Sequence, residues 1–139
     1  MKALTYSVLG TLYSVLLTAS TALCQTPSIV GSWHGTSTCV DKVKFPACHD
    51  EEVIYDVREQ PPDSVVLRAD KIVNGVRDFM GEFTLGRTAP EQWAVEADVP
   101  RGRLRIEIVV QGDSLHGRLL DLPNGAQVRR MELRRRSPG

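Results

Sequence analysis

Aromatic side chains are scarce in this sequence, with three Phe, three Tyr and two Trp among 139 residues. A wide aromatic-lined pocket has few residues to build it. Net charge is missing too, because 17 Lys and Arg are balanced by 17 Asp and Glu. That balance removes the electrostatic basis for binding nucleic acid. The chain has no Gly-x-Ser-x-Gly elbow, no His-Glu-x-x-His and no glycine-rich phosphate loop, so no nucleophile, metal or phosphate chemistry announces itself. The expectation is a protein that is not an enzyme and carries no cofactor and no metal. Long apolar runs are confined to the first 25 residues, and no helical periodicity appears after residue 28.

The opening MKALTYSVLGTLYSVLLTASTALCQ has one Lys, an acid-free apolar run from Leu4 to Leu17, and small residues before Gln25. This is the layout of a secretory signal peptide, and the run is shorter than the roughly 20 residues of a membrane-spanning helix. Cleavage after Cys24, with Ala22 behind it, divides the chain into a leader over 1–24 and a single domain over 25–139. Cleavage after Ala22 and lipid modification of Cys24 are the alternatives. The expected location is periplasmic or extracellular, with no stable membrane insertion. About 115 residues remain, the size of one domain.

From residue 29 onward, period-two alternation is interrupted by turn residues every 8 to 12 positions. That spacing reads as antiparallel all-β. Strands are expected over 29–40, 51–59, 65–73, 76–85, 92–99, 103–111, 114–120 and 126–135. Asn74-Gly75 between two such runs marks a tight hairpin. In the last strand the alternation slips between Val128 and Met131, which suits a bulge. Eight strands on short connections predict an eight-stranded antiparallel up-and-down barrel, with a sandwich as the alternative. Charge is uneven along the chain, with acids prevailing over 41–98 and arginines over 101–136, a pattern suited to cross-strand ion pairs on a solvated face.

Gly31-Ser32-Trp33 on the first strand of such a barrel resembles the lipocalins and the wider calycin group. The resemblance implies a tryptophan at the closed end of the barrel, with an arginine from the last strand packed across it. Arg130, or its neighbour Arg129, is the candidate for that role with Trp33. The region is also similar to small secreted bacterial proteins that share a Trp-x-Gly, two cysteines about ten residues apart and a following Asp-Glu, here Trp33-His34-Gly35, Cys39, Cys48 and Asp50-Glu51. The lipocalin likeness implies ligand carriage, whereas the second likeness implies no activity.

With Cys24 in the leader, Cys39 and Cys48 are the remaining pair in an exported chain, and a disulfide is their expected state. A metal site built from Cys39, Cys48, His34, His49, Asp50, Glu51 and Glu52 is the rival. Its cysteines are spaced too widely for a common structural zinc site. His34 and His116 alternate with inward residues and should face solvent, while His49 should pair with a neighbouring acid. Asp78 and Glu82 belong to an outer face, as partners for Arg68 or Lys71.

The faces assigned inward are apolar. Tyr55, Leu67, Phe79, Phe83, Trp93, Ile106 and Leu119 are the candidate ligand-lining residues, with Tyr55 as the polar handle. Two readings follow from this interior, and an enzyme of unknown class is a third. One is a monomeric carrier of a small hydrophobic ligand such as a fatty acid or other lipid. The other is a filled-core module that binds a protein partner on its outer surface.

Overall fold

A computed structural model describes residues 28–137. The expected leader and Cys24 lie outside the described residues. Eight strands follow in chain order: β1 (Gly31–Cys39), β2 (Glu51–Gln60), β3 (Ser64–Val73), β4 (Val76–Ala89), β5 (Gln92–Val99), β6 (Gly102–Gln111), β7 (Ser114–Leu122) and β8 (Ala126–Arg135). Each pairs antiparallel with its sequence neighbour, and β8 returns to β1, so the sheet is a closed barrel. Closure gives β1 a partner on both sides, and every strand pairs with two neighbours over at least part of its length.

Local chemistry explains most of the connections. Asn74 and Gly75 both adopt positive φ, 51° and 77°, as a two-residue hairpin of this type requires. Between β4 and β5 the connection is tighter than the alternation implies. Gly86, Arg87 and Ala89 pair with Ala94, Trp93 and Gln92, so the strand expected to end at residue 85 continues to Ala89. In β8 the register shifts so that Leu119 faces Arg129 and Leu120 faces Gln127, leaving Val128 as the extra residue where the alternation slips.

The core runs down the barrel axis. Ile29, Trp33, Val53, Val65, Leu85 and Leu115 have no exposed surface. Gly35 lets β1 press on β8, because a Cβ there would lie 2.0 Å from the Glu132 carbonyl oxygen. The outer face carries cross-strand ion pairs, including Arg58–Glu82 at 2.9 Å, Arg103–Glu96 at 3.1 Å and Arg105–Glu96 at 3.5 Å. Apolar residues inside and charges outside are the reverse of a membrane-spanning barrel.

A second irregularity changes which side chains face inward. Ala69 pairs with Gly81, but Asp70 pairs with Phe79, so Met80 is an extra residue in β4. The bulge shifts the alternation by one place. Phe79, expected to line the interior, is instead 57% exposed, with the Arg68 guanidinium 5.0 Å from its ring centroid. Beside it Asp70 is fully buried on the outer wall, accepting hydrogen bonds from Arg68 at 3.3 Å and Arg77 at 2.8 Å.

Candidate functional site: the barrel mouth

The alternation of β8 turns Arg129, Met131, Leu133 and Arg135 toward one side, and this places two arginines at opposite ends of the barrel. Arg135 closes the base. Its guanidinium carbon lies 4.3 Å from the Trp33 ring centroid. It donates hydrogen bonds to the carbonyls of Val30, at 2.8 Å, and Ser28, and its Nε donates to Asp113 at 3.2 Å. Trp33 Nε1 donates to the Ile29 carbonyl at 2.8 Å. Gly31 makes this fit possible, since its φ is +136° and a Cβ there would meet Arg135 Nη1 at 2.9 Å.

The expected partner of Trp33 is therefore corrected. Arg130 has the opposite parity to the buried Met131 and Leu133 and is exposed on the outer wall, paired in register with Thr38 and Arg118. Arg129 shares the parity of Arg135 but lies six residues away, roughly 20 Å along the strand. The signal that finds Arg135 is the pairing of β1 with β8, which sets Trp33 beside Arg135. That register depends on closure of the sheet.

Arg129 sits at the mouth, where it is 3.4 Å from Glu51 and donates to Ser37 Oγ at 3.2 Å. Below this cluster an apolar cavity of about 180 Å³ occupies the upper half of the barrel. Tyr55, Leu67, Phe83, Ile106 and Leu119 line it, as does Met80, which takes the inward place expected for Phe79. Trp93 is buried but lies deeper, within the core cluster and away from the cavity. Tyr55 is 7% exposed. Burial pushes its phenol up to about 12, with the Arg129 charge opposing the shift and Glu51 adding to it, so the hydroxyl is a neutral donor at physiological pH.

Above the cavity, a wider vestibule of about 670 Å³ lies between the β1–β2 loop and the turns that follow β5 and β7. The two spaces share Val99, Leu104, Leu119 and Arg129. Lys44, Phe45 and Cys48 come from the loop, and Arg101 and Asp121 from the opposite rim. The Cys39–Cys48 disulfide, with Cα atoms 6.0 Å apart, staples this loop. The bond consumes both thiolates that a metal site would have used. It closes about ten residues and contributes roughly 2.5 to 3 kcal/mol by chain entropy.

The remaining polar residues lie away from the cavity. Asp50 accepts from the Cys39 backbone N–H at 2.8 Å and from Lys42 at 3.2 Å. These bonds draw its carboxyl below the ordinary value, the backbone bond first and Lys42 second. Lys42 thus takes the role expected of His49, which is exposed. His34 is half-buried on the outer wall beside Ser32 and Arg136, each 3.4 Å from its Nε2. His116 is exposed. Asp78 meets Lys71 at 3.8 Å as expected, while Glu82 pairs with Arg58 instead of Arg68 or Lys71.

No family model matches the chain, and no curated protein matches it in sequence. Among solved structures the chain is similar to a redesigned β-barrel, with a TM-score of 0.58 and 13% identity over 79% of this chain and 93% of that one. At that identity the likeness shows the eight-stranded antiparallel barrel fold alone.

Proposed function

We propose that the protein is an exported, monomeric, lipocalin-like barrel that binds one small amphipathic molecule at its mouth. The observation that carries this reading is the apolar cavity of about 180 Å³ that continues into a larger vestibule. An engineered apolar cavity of about 150 Å³ holds a benzene ring, so this one has room for an apolar segment of roughly six to eight carbons. A longer chain would leave its remaining length in the vestibule, where Lys44 and Arg101 stand on opposite rims. A short fatty acid or the end of a lipid chain fits that division, with the buried Tyr55 hydroxyl as an internal polar contact. Binding is favoured over catalysis because the charged groups nearest the cavity, Arg129 and Glu51, are already paired with each other. The charged outer wall supports a barrel that stands free of the bilayer.

Calorimetric titration of the mature protein with octanoate and with octanol tests the reading. Both should bind, and octanoate should bind more tightly. Ala69→Leu, which adds three carbons on the cavity wall, should abolish both isotherms while leaving the unfolding free energy within about 1 kcal/mol of the parent. No heat with either probe would remove the carrier reading in favour of a filled core.

A further inference from the structure

One seam of the barrel wall is open over most of its height. β4 and β5 pair at Gly86↔Ala94, Arg87↔Trp93 and Ala89↔Gln92, and no pair continues toward the mouth. On its other side each strand pairs along its length, β4 with β3 from Ser64↔Gly86 to Val73↔Val76 and β5 with β6 from Gln92↔Val109 to Val99↔Gly102. Extending the register past Gly86↔Ala94 would set Phe83 opposite Ala97 and Glu82 opposite Asp98. Directly opposed like charges disfavour pairing at that position. Residues 81–85 and 95–99 therefore each turn a row of backbone N–H and C=O groups toward the gap without a ladder partner.

The chemistry of the gap is asymmetric. On its inner side Phe83, Ala97 and Val99 lead into the cavity. On its outer side stand Glu82, Glu96 and Asp98; their ion-pair partners Arg58, Arg103 and Arg105 belong to β2 and β6, on the sides away from the gap, and neither 79–85 nor 95–99 contains a Lys or Arg. The paired edge of β5 shows what such a surface accepts. Strand β6 alternates Arg103, Leu104, Arg105 and Ile106, and its arginines meet Glu96 at 3.1 and 3.5 Å and Asp98 at 4.0 Å. At the top of the gap Phe79 and Met80 are exposed.

We propose that the open β4–β5 seam is a docking site for an extended polypeptide segment that alternates apolar and basic residues and adds to the wall as a strand. A row of backbone N–H and C=O groups at strand spacing is matched by another extended backbone, and acids outside with apolar residues inside complement a chain that alternates basic and apolar side chains, which selects polypeptide as the occupant. Main-chain bonds would provide affinity and the alternation would provide specificity. Apolar side chains would enter between Phe83 and Ala97, and basic ones would meet Glu82, Glu96 and Asp98. This proposal does not rest on the ligand reading above, although the two sites share Phe83, Ala97 and Val99.

The test is a titration of the mature protein with an acetylated and amidated heptapeptide alternating Arg and Leu, read by amide hydrogen exchange. At saturation the seam-facing amides of 81–85 and 95–99 should exchange about tenfold more slowly or better, and a Glu/Leu peptide of the same length should have no effect. A protein carrying Glu82→Lys and Asp98→Lys, checked for an unchanged melting midpoint, should bind the Arg/Leu peptide about tenfold more weakly. Peptide binding without slowing at these amides, equal slowing by the acidic peptide, or the same slowing from raised protein concentration alone would overturn the proposal. The last result would assign the seam to a second copy of this chain.

Discussion

At the base of the barrel the Trp33 ring has no exposed surface and Arg135 stacks 4.3 Å from its centroid, while at the mouth Tyr55 faces a cavity and Arg129 is paired with Glu51. Both arginines come from the inward side of β8, so the alternation of one strand supplies both ends. The difference lies in what surrounds them. Two tryptophans, Ile29 and the small Gly31 fill the lower half, whereas Ala69, Ala97 and Ser37 leave the upper half underfilled. Among the described residues the exposed large apolar ones, Val40, Val43, Val73, Val76, Phe79 and Met80, all belong to the mouth half. Stability is therefore concentrated at one end and accessible apolar surface at the other.

Trp33→Ala should break this contrast most severely. Removing the ring from under Arg135 is expected to cost about 3 to 5 kcal/mol and, in a domain of this size, to lower the thermal midpoint by at least about 12 °C. An unchanged midpoint would mean that the base is not the stability centre. Replacing Cys39 and Cys48 by Ser frees the mouth loop and should cost about 2.5 to 3 kcal/mol in urea unfolding, with the base residues keeping their order of hydrogen-exchange protection.

The arginines of β8 sharpen the comparison at smaller scale. Arg135→Ala should cost about 2 to 3 kcal/mol, through the lost stacking and hydrogen bonds. Arg129→Ala should cost about 1 to 2, because it leaves Glu51 partly buried and unpaired, and Arg130→Ala should fall within about 0.5 of the parent. Chemical denaturation of the three variants ranks them, and a large effect at Arg130 would contradict the register of β8.

The smallest effect concerns His34, whose pKa lies below the ordinary 6.5, chiefly through burial and then through the Arg136 charge. The unfolded chain takes up this proton more readily, so the contribution is full above pH 6.5 and is lost as pH falls through the folded value. His34→Gln should flatten the stability slope between pH 7 and pH 5 by less than about 0.5 kcal/mol. An unaltered slope in pH-dependent melts would assign it to other groups.

Much of the fold was legible in the alternation, because a half-buried strand must change face at every residue. Eight runs of this kind on short connections implied the barrel, and the expectation of export implied a bond between Cys39 and Cys48. The site was legible in part: Tyr55, Leu67, Phe83, Ile106 and Leu119 could be assigned inward by parity and do line the cavity. Phe79 could not be placed, because nothing in the local sequence around Met80 marks the bulge that turns it outward. Trp93 could be assigned inward but not to a depth, since parity carries no information about position along the axis.

The order of residues was enough to fix strand direction, facing and the charged outer wall, since these depend on neighbours within a few positions along one strand. The register between β1 and β8, the depth of each inward side chain and the open β4–β5 seam were decided only when the sheet closed. Closure sets Trp33 beside Arg135, some hundred positions away, and how two strands pair, whether distant in the chain or consecutive as β4 and β5 are, is a property of the pair.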